Sequence, residues 1–205
     1  MRLKHGLLVV LVALTAAGCG AEADSGPVSV ADPPARAAER EVLVVGDSLA
    51  EGMAPALPAA LPGWRVRIDA LTGRPLAEGM RILGDEPAPP AILAISLFTN
   101  DDPRSVGALE AAVRETASRP GGCAVWATIV APAYEGTSHA GANGLLRRLA
   151  RDPALTLELV DWARAVERDR SLMSSDEVHA SPAGYRARAV MYARAIRACA
   201  RRLAT

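Results

Sequence analysis

The stretch EVLVVGDSLAEGM, Glu41 to Met53, decides the fold. Val42, Leu43, Val44 and Val45 form an unbroken aliphatic run with no polar alternation, which predicts a strand buried on both faces. Gly46, Asp47 and Ser48 interrupt it, and from Leu49 apolar residues return at helical spacing, predicting a helix over 49–60. A strand covered on both faces and followed at once by a helix is the building unit of a parallel sheet.

The same alternation continues outward from this unit. Strands are predicted over 42–45, 64–69, 91–96, 124–130 and 156–160, and helices over 49–60, 75–83, 103–119, 142–151 and 182–203. Pro103 and Pro182 suit the first turns of the last-but-two and last of these helices. The pattern is that of an α/β protein: a doubly wound three-layer α/β/α sandwich around a five-stranded parallel sheet. In such sheets ligand sites lie at the carboxyl ends of strands, which directs attention to the residues just after Val45, Asp69, Ser96 and Val130.

At 205 residues the chain suits a single folded domain, expected over 41–205. Lys plus Arg and Asp plus Glu both number 23, and basic and aromatic residues are not interleaved, so no nucleic-acid partner is expected. The beginning, MRLKHGLLVVLVALTAAGCG, has basic Arg2 and Lys4, an apolar run from Leu7 to Leu14, and then small residues. That order predicts a signal peptide over 1–18 rather than a permanent span, for which about 20 apolar residues are needed. Ala16-Ala-Gly-Cys19 resembles a bacterial lipobox, with Ala16 where leucine is usual. The resemblance implies an exported protein held at the membrane surface by a lipid on Cys19; without acylation it would be secreted. Residues 19–40, polar and Pro-containing without hydrophobic period, read as a flexible tether.

Three cysteines in an exported chain leave one over unless one serves another purpose. With Cys19 lipidated, Cys123 and Cys199 remain as a pair whose bridge would tie the last helix to the sheet. The alternative is two buried, reduced thiols acting as small hydrophobes.

Ser48 stands between a strand and a helix, where its hydroxyl can face a crevice with the positive end of the helix dipole behind it. Asp47 and Ser48 are equally good helix caps, so GDS alone leaves both readings open. A nucleophilic hydroxyl needs a base, and beyond His5 the chain offers His139 and His179. His179 follows Asp176 by three residues in SSDEVHASPAGY, a spacing that lets a carboxylate orient an imidazole. His139, in the glycine-rich EGTSHAGAN, reads as a solvated loop residue or a lining of the substrate cleft. Gly73 and Asn100 follow the second and third predicted strands and can donate hydrogen bonds to an oxyanion; each also has a plainer reading, as a turn glycine and as a helix cap.

Together these residues resemble the SGNH hydrolases, also called GDSL-type esterases and lipases, over nearly all of the chain after residue 41. The first block of that family is matched by Gly46, Asp47, Ser48 and Leu49, the glycine of the second by Gly73, and the D-x-x-H of the last by Asp176 and His179. The third block, G-x-N-D, reads Phe98-Thr-Asn100-Asp101, keeping the asparagine and losing the glycine. The resemblance implies Ser48 as nucleophile, His179 as base, Asp176 as its orienting acid, and an oxyanion hole from the Ser48 and Gly73 N–H groups and the Asn100 amide. It also implies that Phe98, with Asp47, shapes the substrate pocket. No cofactor is implied, and no metal-binding spacing such as C-x-x-C or H-E-x-x-H occurs. The expected activity is that of a monomeric serine esterase acting on short acyl esters of carbohydrates or small molecules. Lysophospholipase or thioesterase activity, or a surface binding protein that kept the fold without turnover, are the alternatives.

Overall fold

The computed structural model describes residues 40–205. Five strands, β1 (Glu41–Gly46), β2 (Arg65–Ala70), β3 (Ile92–Ser96), β4 (Cys123–Ala127) and β5 (Leu157–Val160), form one parallel sheet in the order β2-β1-β3-β4-β5. The order reverses between β1 and β3, so a crevice opens beyond Gly46 and Ser96, which are paired in register.

Period-two burial sends alternate side chains to opposite faces. Val42, Val44, Ile92, Ala94 and Val125 face one core with α1 (Ser48–Met53), α2 (Leu57–Ala60), α6 (Trp162–Arg168) and α7 (Pro182–Leu203). Leu43, Val45, Leu93, Ile95 and Trp126 face the other with α3 (Leu76–Asp85), α4 (Val106–Ala117) and α5 (Ala140–Leu149). This is the expected three-layer sandwich.

Several local expectations are corrected. The helix expected over 49–60 is two, because Pro55 and Pro58 lack the N–H groups a continuous helix would need; the Ala54 N–H turns back to Glu51 instead. Pro103 is not a first-turn proline: α4 starts at Val106, after a turn in which Asp102 accepts from the Arg104 N–H with its carboxylate and from the Ser105 N–H with its carbonyl. Asn100 therefore caps no helix. The helix α6 was not expected, although Trp162, Ala163 and Val166 form its buried face behind the capping Asp161.

Cys123 and Cys199 form a disulfide joining the first residue of β4 to the last turns of α7. In a chain-entropy account, closing a loop of this length stabilises the fold by about 4 kcal/mol. Cys19 and the leader and tether expected before Arg40 lie outside the described residues.

Candidate active site

Three segments converge at the carboxyl edge of the sheet. Gly46 ends β1 so close to its neighbours that a Cβ would run into Ala50 and the Ser96 carbonyl. That close approach lets the Asp47 N–H donate to the Ser96 carbonyl at 2.9 Å and swings the chain directly into α1. Asp47 caps α1 by accepting from the Leu49 N–H at 3.0 Å, and Ser48 becomes its first residue.

His179 comes from the loop before α7. Asp176 organises that loop: its Oδ1 accepts from the Val178 and His179 N–H groups and from Ser174 Oγ. Its Oδ2 lies 2.7 Å from His179 Nδ1, and His179 Nε2 lies 3.0 Å from Ser48 Oγ. The His179 side chain and these N–H and O–H donors hold the Asp176 carboxyl well below the usual carboxylate range. Ser181 caps α7, accepting from the Gly184 N–H. An ionised carboxylate on one ring nitrogen and a hydroxyl on the other is the geometry that lets an imidazole take a hydroxyl proton.

The N–H groups of Ser48 and Gly73 have no partner among the described residues. Gly73 has φ +78°, a conformation a side chain would strain, and open space where its Cβ would lie. Asn100 Nδ2 is 3.4 Å from Asp47 Oδ2 and 3.3 Å from the Arg74 carbonyl.

Two residues expected at the substrate pocket lie elsewhere. Asp47 is fully buried, so it underlies the site rather than lining it; burial raises its carboxyl, opposed by the Leu49 N–H and the Arg188 charge. Phe98 is also 0% exposed, packed in the core with its ring edge-on to His139 at 6.3 Å. Its φ is +81°, a left-handed conformation rare for aromatic residues. The glycine of the third block thus corresponds to a backbone demand here, and Phe98 meets it at a cost in strain while its ring packs beside His139.

His139, at the N-terminal boundary of α5, is not solvated, and its side chain makes no capping hydrogen bond. It is 5% exposed, its ring nitrogens make no regular hydrogen bond, and burial pushes its imidazole down, partly offset by the Phe98 backbone. It helps line a cleft of about 400 Å³ beside Asn100, with Asp101, Asp102, Tyr134 and Val178.

Sequence reasoning missed two buried arginines. Arg188 occupies the buried stripe of α7 with Gly184, Tyr192 and Ile196, and an arginine on that four-residue repeat was the available signal. Its Nη2 donates to Ser96 Oγ at 3.0 Å, and its guanidinium lies over the rings of Trp162 and Tyr192. Arg74, 5% exposed between Gly73 and Pro75, reaches the Gly46 carbonyl. Among the described residues no cluster of His, Cys, Asp or Glu could hold a metal.

The fold is that of the SGNH hydrolases. The chain matches no protein-family model and no curated protein sequence. Among solved structures it is similar to the C-terminal catalytic domain of Streptococcus pneumoniae peptidoglycan O-acetyltransferase A, with a TM-score of 0.63 and 20% identity, covering 80% of this chain and 93% of that one. It is similar to a Slackia heliotrinireducens protein provisionally named an SGNH hydrolase, with a TM-score of 0.54 and 24% identity over 76% and 98% of the two chains. A third neighbour is the psychrotrophic esterase EstA of a Pseudoalteromonas species, with a TM-score of 0.56 and 15% identity over 78% and 97%. At these identities the likeness establishes the fold alone.

Proposed function

We propose that the protein is a serine esterase of the SGNH type that removes short acyl groups from carbohydrate or small-molecule alcohols. The observation that carries this reading is the Ser48–His179–Asp176 chain of contacts, at 3.0 and 2.7 Å. Ser48 Oγ attacks the ester carbonyl while His179 Nε2 takes its proton. The tetrahedral oxyanion is met by the Ser48 and Gly73 N–H groups and the Asn100 amide. Collapse expels the alcohol, protonated by His179, and leaves an acyl-Ser48 ester. Water, deprotonated by His179, then attacks the acyl carbon and restores the serine.

The cleft beside Asn100 supports a small, hydroxyl-rich substrate. Its wall carries Asp101 and Asp102, and the Tyr134 ring is 53% exposed at its rim, a surface suited to sugar more than to a long acyl chain. The apolar leader and Cys19 support a lipid-anchored location at the cell surface, where ester-bearing glycans would be within reach.

A fluorophosphonate probe tests the reading: mass spectrometry should find the adduct on Ser48, and an unlabelled Ser48 in folded protein sinks it. An ester panel should then show acetyl esters cleaved faster than octanoyl esters, and Ser48→Ala inactive on both.

A further inference from the structure

We propose that Arg74 is a positioning residue that fixes the oxyanion donors with respect to one another; the proposal rests on the esterase reading above. The three donors come from three separate loops, after β1, β2 and β3, and rigid mutual placement is what gives such donors their effect on a transition state.

Arg74 is tied to all three loops. Its Nη1 donates to the Gly46 carbonyl at 3.1 Å, two residues before Ser48. The Leu71 N–H donates to the same carbonyl at 3.1 Å, so the end of β1 is gripped twice by the loop that carries Gly73. The Arg74 backbone carbonyl accepts from Asn100 Nδ2 at 3.3 Å, and the next residue of the third loop, Asp101, accepts from the Leu76 N–H at 2.9 Å. Gly73 itself is the residue immediately before Arg74.

The guanidinium is aimed as well as buried. Nη1 donates to the Asp69 carbonyl and Nη2 to Asp69 Oδ1, both at 2.7 Å, while Nε faces Glu78 at 3.6 Å. Two carboxylates thus neutralise the charge at the end of β2 and start of α3, and the fork of the guanidinium spans acceptors on two strands. A lysine has one point of attachment and cannot reproduce that bridge. Arg74 touches no reacting atom, so its side chain acts through the Gly46 carbonyl and Asp69, which hold the loop whose backbone carries Gly73 and meets Asn100.

The test compares wild type, Arg74→Met, Arg74→Lys and Asp69→Ala in the full chain. Each is assayed with p-nitrophenyl acetate and with a phenylboronic acid, whose tetrahedral serine adduct places an oxygen in the oxyanion hole. In Arg74→Met we expect kcat to fall about 100-fold with KM within about twofold, and the boronate inhibition constant to rise in parallel. Arg74→Lys should recover only part of this loss. Asp69→Ala, at a half-exposed position, should show the same parallel change at about tenfold and decides the matter if Arg74→Met does not fold.

A kcat within about threefold of wild type in both Arg74→Met and Asp69→Ala overturns the proposal, as does a fall in kcat with the boronate constant unchanged. Absence of fluorophosphonate labelling of wild-type Ser48 is the separate outcome that overturns the esterase reading beneath it.

Discussion

Two carboxylates beside the Ser48 site, Asp176 and Asp47, sit in opposite surroundings. Asp176 is exposed and takes its partners from its own loop, within three residues of itself. Asp47 is fully buried, and around it lies a floor made from distant parts of the chain: Ser96 at the end of β3, and Arg188 and Tyr192 from α7. On the exposed side, short-range hydrogen bonds lower a carboxyl; below the serine, burial raises one. The exposed side can therefore be altered without unfolding the protein, whereas the floor links chemistry to stability.

The largest expected effect tests the exposed side. Asp176→Asn should lower kcat by about 10⁴-fold, because the His179 tautomer is no longer fixed, while Tm changes by less than about 2 °C. A loss below tenfold in the esterase assay would reduce Asp176 to a turn-former.

Arg188→Met tests the floor. Leaving Asp47 buried without its nearby cation should cost about 3 kcal/mol in urea unfolding at pH 7. The sign with pH follows from the raised Asp47 carboxyl: the penalty falls on the ionised form, so the gap to wild type should narrow as pH drops and Asp47 takes up a proton. A gap that is the same at pH 7 and pH 4 would show that Arg188 acts only by packing.

Phe98 tests the backbone just after β3, in the core on the opposite face of the sheet from Tyr192. Both Phe98→Ala and Phe98→Gly lose a buried ring and should destabilise the fold by about 3 kcal/mol or more. Phe98→Gly should nevertheless be the more stable of the two by about 1 kcal/mol, since glycine adopts the +81° φ without strain. Equal stabilities would remove the backbone explanation for the third-block glycine.

The smallest effect concerns His139. Because burial depresses its imidazole in the fold, the unfolded chain binds a proton at a higher pH than the folded one. Stability conferred by the neutral ring is present above pH ~6.5 and is lost as pH falls through the folded value. His139→Gln should flatten that acid-side decline in thermal unfolding between about pH 6.5 and 5, and an unchanged slope would discount the ring.

The sequence carried the exposed side of the site more clearly than the floor. Asp176, His179 and Ser48 are chemical groups at short or motif spacings, and their side chains meet as the resemblance implied. The strands were legible because burial on both faces leaves continuous aliphatic runs. Phe98 and Asp47 were misread as pocket residues because backbone φ and depth of burial leave no mark in a local pattern. Arg74 and Arg188 were missed because their partners, Gly46 and Ser96, are distant in sequence. The break between α1 and α2 was readable from Pro55 and Pro58, but a helical period spanning both prolines masked it.

The Cys123–Cys199 bridge has a consequence for limited proteolysis. The covalent ring it closes contains Asp176 and His179, while Ser48, Gly73 and Asn100 lie outside it. A single cut in the exposed stretch from Pro132 to Gly136 falls inside the ring, so the two fragments stay joined through sulfur, with acid and base on one and the serine on the other. The nicked protein would run as one band until reduced and as two afterwards, and its two halves would face each other at the site as a permanently tethered pair.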